Sequence, residues 1–328
     1  MDASTIPAVD TRLTLGDRLG RWRVRWSTGR GSYRVEPGLY RVGRPGPASP
    51  VLVTANYKLT FDALRSELEG VDAWILVLET QAVNVWCAAG KGTFGTDELV
   101  NRVAATRLTE VVSHRKLVVP QLGATGVAAH EVKRLCGFQV VYGPIRAEDL
   151  KAFLGDRMRA SEEMRRVTFT LGERFELVGV EVVGALKWGL LVLLLALLLT
   201  GSDWTLNRLG AVFPVLVGLL AGTVLVPILL PWIPGRAFSL KGALVGAAAV
   251  GAAIVLTTAD FSVLGSVQLF LLGTASSSFF AMQFTGATTF TSPSGVEWEM
   301  RRALPFQAGA VVVAVAIGLW RLAALLMG

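Results

Sequence analysis

The chain is predicted to form an α/β domain followed by an all-α transmembrane domain of five helices. Charged residues crowd into roughly the first 180 positions, where short apolar runs alternate with segments of helical spacing, and long apolar segments fill the remainder. The mean hydropathy of +0.51 is high for a soluble protein, although 17% of the residues are charged. A soluble domain joined to a membrane domain accounts for both values.

The first half of the chain predicts a parallel sheet with helices on both faces. Its strands are near-continuous apolar runs that alternate with helical segments, a pattern typical of such sheets. The predicted strands are residues 51–54, 73–78, 117–119 and 138–142, and the predicted helices are residues 58–69, 96–108, 128–136 and 147–154. We therefore expect a Rossmann-like domain over residues 51–155, which is a usual domain size.

The segments on either side of this domain are predicted to be less regular. Residues 1–50 are rich in Arg, Gly and Pro, and the alternation of Trp22, Val24 and Trp26 favours an extended lead-in that pairs as a hairpin. Residues 156–182 are expected to form a juxtamembrane linker to the transmembrane domain, residues 183–328.

Five apolar segments in the second half are each close to the ~20 residues that a helix needs to cross a bilayer. They are residues 184–200, 209–230, 242–258, 262–284 and 308–327. Basic residues concentrate in the loops on one side, which predicts a multi-pass protein of the cytoplasmic (inner) membrane with its C-terminus outside. No apolar run follows Met1, so no signal peptide is predicted and the N-terminal domain is expected in the cytoplasm. The net charge of +7 is then explained by membrane anchoring rather than by nucleic-acid binding.

A cofactor site is predicted at one edge of the sheet. Open α/β sheets bind ligands beyond the carboxyl ends of their strands, and four segments follow such ends. The candidate residues in these segments are Thr54, Asn56, Asn84, Val85, Trp86, Cys87, Ala88, Ala89, Gly90, Lys91, Gln121, Gly123 and Gly143.

Common phosphate and metal motifs do not explain this site. Gly90-Lys91 is not a P-loop, because position 85 is Val and position 92 is Gly. No G-x-G-x-x-G opens a helix after the first predicted strand. The two cysteines, Cys87 and Cys136, are too few for a disulfide framework or for an iron–sulfur cluster.

The octet Asn84-Val85-Trp86-Cys87-Ala88-Ala89-Gly90-Lys91 resembles the NVWCAAGK motif of the corrinoid protein of microbial mercury methylation. Residues 37–40, 49–62, 120–124 and 140–147 are also similar to that family, which is related to the corrinoid iron–sulfur proteins of the acetyl-CoA pathway. The resemblance implies that Cys87 is the catalytic residue and the lower axial ligand of a cobalamin cobalt. The histidine-ligand pattern D-x-H-x-x-G is absent, so a corrinoid would need another lower ligand.

The resemblance further implies a cobalamin-dependent methyltransferase that passes a methyl group from methyl-cobalt to Hg(II), forming methylmercury. Thiolates are strongly donating ligands, and donation to cobalt favours departure of the methyl group toward an electrophile. A ferredoxin-type iron–sulfur reductant and a methyltetrahydrofolate-linked methyl donor are the implied partners.

Two alternatives stay open at this stage. The first is a membrane-anchored corrinoid methyl carrier of the acetyl-CoA pathway type that serves another acceptor. The second is a transporter with a soluble sensor domain. The predicted spans contain no Asp or Glu, whereas ion and proton pathways usually show ionisable groups at mid-membrane, so anchoring and docking are favoured over transport.

Overall fold

A computed structural model of the chain describes residues 5–199, 206–257, 261–287 and 293–327. It has two compact units, Met1–Thr168 and Phe169–Gly328. The first unit is a mixed α/β structure and the second is helical. The prediction of an α/β domain followed by a helical region is confirmed.

The described part of the first unit contains one five-stranded sheet. Its strands are β1 (Gly38–Val42), β2 (Val51–Ala55), β3 (Ala73–Leu78), β4 (Lys116–Val119) and β5 (Gln139–Tyr142), in the spatial order β1-β3-β2-β4-β5. β2 to β5 are parallel, whereas β1 pairs antiparallel with β3 and places Gly38 opposite Val77. Every residue of β2 and β3 is buried, as expected for central strands covered on both faces.

Helices cover both faces of this sheet. The described α-helices of this unit are α1 (Leu15–Arg25), α2 (Lys58–Ser66), α3 (Val85–Lys91), α4 (Thr96–Ala105), α5 (Leu108–Val111), α6 (Ala129–Cys136) and α7 (Leu150–Gly155). Phe61 of α2 and Phe153 of α7 belong to the core on one face, together with Ile75 of β3. Leu99 of α4 and Val132 of α6 belong to the core on the other face.

The order of the strands opens a crevice at one edge of the sheet. β3 follows β2 in the chain and lies on one side of it, whereas β4 comes later and lies on the other side. The connections that leave β2 and β3 therefore run in opposite directions. In open α/β sheets this reversal is where ligands bind, beyond the carboxyl ends of the strands.

The prediction of an extended hairpin near the N-terminus is wrong for residues 15–25, which form helix α1. The alternation of Trp22, Val24 and Trp26 predicted a strand with these three side chains on one face. In the structure Trp22 and Val24 lie in the helix, Trp26 lies at its C-cap, and only Val24 of the three is buried. A capping box between Thr14 and Asp17 begins the helix: the Thr14 hydroxyl accepts from the Asp17 backbone N–H at 3.1 Å, and the Asp17 carboxylate accepts from the Thr14 N–H at 2.9 Å. The extended pairing lies later, in β1.

The second unit consists of apolar helices. Its described helices are α8 (Leu171–Leu199), α9 (Leu206–Leu220), α10 (Val226–Leu229), α11 (Phe238–Leu256), α12 (Val263–Gln283) and α13 (Pro293–Met327), and one π-helical turn, Ala221–Leu225, joins α9 to α10. Among the described residues, five helices are long and apolar enough to cross a membrane. The predicted linker, residues 156–182, is helical from Leu171 onward.

Close helix packing joins α11 to α12. A methyl group on Gly242 would lie 2.6 Å from the Ser277 carbonyl oxygen, and one on Gly246 would lie 2.5 Å from Ser277 Cβ. The Ser277 hydroxyl donates to the Gly242 carbonyl at 2.8 Å. Small residues and interhelical hydrogen bonds of this kind are typical of membrane-helix interfaces.

Candidate functional site

A cavity of about 330 Å³ opens in the first unit at the carboxyl ends of the strands. Leu52, Leu64, Val118 and Leu150 give it an apolar wall. Its polar lining comes from four residues: Thr54, Thr60, Asn84 and Arg146. An apolar cavity with a few polar groups at this edge of an α/β sheet has the character of a ligand site.

The octet lies beside this cavity, and its residues Val85–Lys91 form helix α3. Asn84 is the N-cap, and its side-chain oxygen accepts from the Cys87 backbone N–H at 2.8 Å. Gly92 ends the helix with a φ of +81°, a left-handed conformation that favours glycine. So short a helix is marginal by itself, and burial of Val85, Ala88 and Ala89 supplies the packing that holds it.

The structure brings five of the predicted site residues together around the cavity. Asn84, Val85 and Trp86 line it from the start of α3, Thr54 from the end of β2 and Gly143 from just beyond β5. Three segments that are far apart in sequence thus converge at this edge of the sheet.

The rest of the octet lies outside the cavity lining. Cys87 is half-buried and is the residue that follows Trp86, while Ala88 and Ala89 belong to the hydrophobic core. Gly90 and Lys91 are exposed. The octet therefore has a core-facing side and a solvent-facing end, with the cysteine between them.

The side chain of Asn56 makes several hydrogen bonds inside the domain. Its side chain is fully buried, and its carbonyl oxygen accepts from the Thr80 N–H at 3.1 Å, the Thr80 hydroxyl at 2.9 Å and the Ala82 N–H at 3.1 Å. Its amide nitrogen donates to Glu79 Oε1 at 2.9 Å. These bonds hold the segment from Glu79 to Ala82 that leads from β3 into the octet.

Gln121 and Gly123 also lie outside the cavity lining, although both follow β4. The Gln121 side-chain oxygen accepts from Arg165 Nη1 at 2.5 Å. A methyl group on Gly123 would lie 2.5 Å from the Phe94 ring, so this position requires glycine for close packing.

Arg146 and Thr60 also line the cavity, although neither was among the residues predicted for the site. Arg146 follows β5 by four positions and donates to Glu148 Oε1 at 2.8 Å. A charged residue soon after the carboxyl end of a predicted strand is the signal that would have found it. The histidines lie elsewhere: His114 contacts the Ser49 carbonyl at 2.8 Å, and His130 is exposed.

The donor chemistry and shape of the site fit part of a corrinoid. The wall of the cavity is apolar, and Thr54 and Asn84 contribute polar groups that can hydrogen-bond to peripheral amides. Cys87 does not line the cavity but follows Trp86 in the same helix, and its thiol is a candidate sulfur ligand. Ligand pockets span about 300–1,000 Å³, so this cavity is at the small end and accommodates a portion of so large a molecule.

Comparison with known proteins relates the first unit to subunits of acetyl-CoA complexes. Residues 25–154 match the family described as CO dehydrogenase/acetyl-CoA synthase delta subunit. The chain is 35% identical over 123 residues to the acetyl-CoA decarbonylase/synthase complex subunit gamma of Archaeoglobus fulgidus, and 35% identical over 122 residues to that of Methanopyrus kandleri. It is 29% identical over 122 residues to the corrinoid/iron-sulfur protein large subunit of Moorella thermoacetica.

The family match lies within the first unit and includes β1 to β5, α3 and the cavity. The match to each of these three relatives covers 37% of this chain and 26% or 27% of the relative, so the chain spans about a quarter of their length. By sequence, the chain is thus similar to subunits of acetyl-CoA decarbonylase/synthase complexes and to a corrinoid/iron-sulfur protein.

Proposed function

We propose that the first unit binds a corrinoid in the cavity beside α3, with the Cys87 thiolate as lower ligand of the cobalt, and that the chain transfers a methyl group to Hg(II). The observation that carries this proposal is the position of the octet. Asn84, Val85 and Trp86 line the cavity, and Cys87 comes next in the same helix. The relation of this unit to corrinoid proteins supports the choice of cofactor.

In this proposal three residues of the octet support Cys87, each in a different way. Asn84 fixes the backbone of Cys87 through its 2.8 Å hydrogen bond, and so orients the sulfur. Trp86 lines the cavity and offers an aromatic surface for packing against a ring. Val85 packs in the hydrophobic core and so holds helix α3, with Asn84 and Trp86, in position.

A bound corrinoid would supply the methyl group that is transferred. Cys87 would hold the cobalt through a soft, strongly donating sulfur, which would favour donation to an electrophile such as Hg(II). Leu52, Val118 and Leu150 give the cavity an apolar wall, which would make the site less polar than water.

The same proposal also specifies two protein partners and the position of the chain in a membrane. Two cysteines are too few for an iron–sulfur cluster, so a ferredoxin-type protein supplies the electrons that restore the cofactor. A methyltetrahydrofolate-linked protein supplies the methyl group. The helical unit anchors the chain in the cytoplasmic membrane, with the first unit in the cytoplasm and the C-terminus outside.

A membrane-anchored methyl carrier with a different acceptor is the second candidate function. The observation that favours it is that the relatives named above include subunits of acetyl-CoA decarbonylase/synthase complexes. In this alternative the cavity and Cys87 keep the same tasks, and only the acceptor differs.

The test uses the full chain purified in detergent, reconstituted with methylcobalamin as the source of the methyl group, and supplied with Hg(II) and a reducing partner. We expect a bound corrinoid whose absorption spectrum changes when Cys87 is replaced by alanine, and formation of methylmercury that the same substitution abolishes. Cys136→Ala is the matched control, because the Cys136 thiol donates to the Val132 carbonyl at 3.2 Å and packs against the core.

Each failure has a distinct meaning. An unchanged spectrum and full activity in Cys87→Ala would refute the ligand assignment. A corrinoid with thiolate ligation but no methyl transfer to Hg(II) would favour the alternative acceptor. A chain that binds no corrinoid would overturn both functions.

A further inference from the structure

Helix α1 carries a stripe of large apolar side chains on its exposed surface. Leu15 is 77% exposed, Leu19 68%, Trp22 64% and Trp26, at the C-cap, 40%. Their spacing of four, three and four residues places all of them on one side of a helix. The two tryptophan rings lie side by side, with centroids 6.1 Å apart.

The opposite side of α1 is fixed to the domain. Val24 is 1% exposed, and the Asp17 carboxylate accepts from Lys58 Nζ at 2.6 Å and from Arg65 Nη2 at 2.8 Å. Partial burial by itself raises the pKa of Asp17, but hydrogen bonds from Lys58, Thr14 and Arg65 outweigh it and hold the pKa well below its ordinary value. The apolar stripe is therefore presented outward by a firmly held helix.

Arginines border the stripe on both sides. Residues 12–34 contain seven arginines and one acidic residue, Asp17, which is already ion-paired. At about 100° per residue, Arg18 and Arg25 flank one edge of the stripe and Arg23 flanks the other. The exposed face of α1 thus combines an apolar centre with a positively charged border.

We propose that this face of α1 rests on the anionic headgroup surface of a lipid bilayer. Amphipathic helices that lie in a membrane interface have this composition, with Trp and Leu on the apolar side and Lys or Arg beside it. Tryptophan favours the headgroup region, and arginines are attracted to anionic lipids. The same chain also carries helices that are long and apolar enough to cross a membrane, which is consistent with a bilayer as the binding surface.

The test uses the full chain in lipid nanodiscs, with Cys87 and Cys136 replaced by alanine and one new cysteine carrying an environment-sensitive fluorophore. One variant is Leu19→Cys on the apolar stripe. The matched control is His130→Cys, at an exposed position of α6. Each is measured in nanodiscs of phosphatidylcholine alone and of phosphatidylcholine with phosphatidylglycerol.

In the anionic nanodiscs we expect the label at Leu19 to shift to the blue, brighten severalfold and be quenched by lipids that carry a nitroxide. The label at His130 should remain water-exposed in both lipids. Replacing Arg18 and Arg23 by glutamine, or adding high salt, should abolish the lipid dependence at Leu19, because neither arginine takes part in the Asp17 ion pairs.

Two results would overturn the proposal. A label at Leu19 that behaves like the one at His130 in both lipids would show that α1 does not meet the bilayer. A label at Leu19 that is shielded to the same extent in detergent and in every lipid would show that protein, such as a second copy of the chain, covers the stripe.

Discussion

Replacing Asn56 by alanine tests whether this residue supports the site rather than contacts the cofactor. In the structure the side-chain carbonyl oxygen of Asn56 accepts from the backbone N–H groups of Thr80 and Ala82. Both partners are buried, so water cannot readily replace the lost acceptor. We therefore expect the segment before the octet to open more often in Asn56→Ala, while the sheet itself remains folded.

The size of this effect follows from two buried N–H groups that lose their partner. Each unsatisfied buried group costs about 1–3 kcal/mol, and partial relaxation of the segment gives a combined cost of about 2–4 kcal/mol. At 1.36 kcal/mol per factor of ten, amide exchange through local opening becomes about 30- to 900-fold faster. The Thr80 hydroxyl has one hydrogen and two acceptors within reach, Asn56 Oδ1 and the Val83 carbonyl oxygen at 2.8 Å. It keeps the Val83 acceptor in Asn56→Ala and is not counted.

Hydrogen exchange of the full chain, followed by mass spectrometry, measures this opening. Peptides that contain Thr80 and Ala82 should exchange faster in Asn56→Ala, with or without corrinoid. Asn101→Ala, on the exposed side of α4, is the control and should change nothing in this segment. Unaltered exchange there, together with lost corrinoid binding, would refute the supporting role and make Asn56 a direct cofactor contact.

Three further predictions concern the cavity, the octet and α1. Thr54 lines the cavity and is 1% exposed, so Thr54→Phe should weaken corrinoid binding more than Thr54→Ala in a titration followed by absorption; equal affinities would contradict the placement. A methyl group on Gly126 would lie 2.2 Å from the Phe94 carbonyl oxygen, whereas one on Gly90 would meet nothing within 4 Å. Gly126→Ala should therefore lower the free energy of unfolding by about 1–3 kcal/mol and lower the Tm. Gly90→Ala should raise the free energy of unfolding by about 0.5–1 kcal/mol. A Gly126→Ala chain more stable than the Gly90→Ala chain would refute the packing argument. Because the folded pKa of Asp17 lies below the ordinary value of 3.8, its stabilisation of α1 is present above that value and lost as the pH falls below it. Protection of residues 15–25, corrected for intrinsic exchange, should decline below about pH 4 in the native chain and be weak at all pH values in Asp17→Asn; an identical profile in both chains would argue against the ion pairs.

The central strands were the most predictable part of the fold. The run of apolar residues 73–78 cannot cover itself in a helix of that length, and burial on both faces of a sheet is the arrangement that removes all of it from water. The cavity followed from topology, since Thr54, Asn84 and Gly143 had to reach the same edge once the strands were parallel.

The N-terminal segment and the octet were less predictable because their structure depends on distant partners. The fold leaves the apolar side chains of Leu15, Leu19 and Trp22 in α1 exposed. A sequence pattern interpreted by expected burial therefore does not distinguish this helix from a strand. Helix α3 ends at a glycine and is too short to form alone. Its existence follows from the core contacts of Ala88 and Ala89, which no local pattern reveals.

The antiparallel strand β1 determines where the chain can be shortened. A fragment that began at Val51 would keep β2 to β5 and the cavity, yet it would leave one whole edge of β3 without hydrogen-bond partners. β3 is entirely apolar, and an unpaired apolar edge is a template for pairing with other molecules. Such a fragment would be expected to aggregate during expression, whereas a fragment that begins before Gly38 would keep the edge closed. Strand β1 contributes no residue to the cavity lining, yet it keeps the domain that contains the cavity from associating through β3.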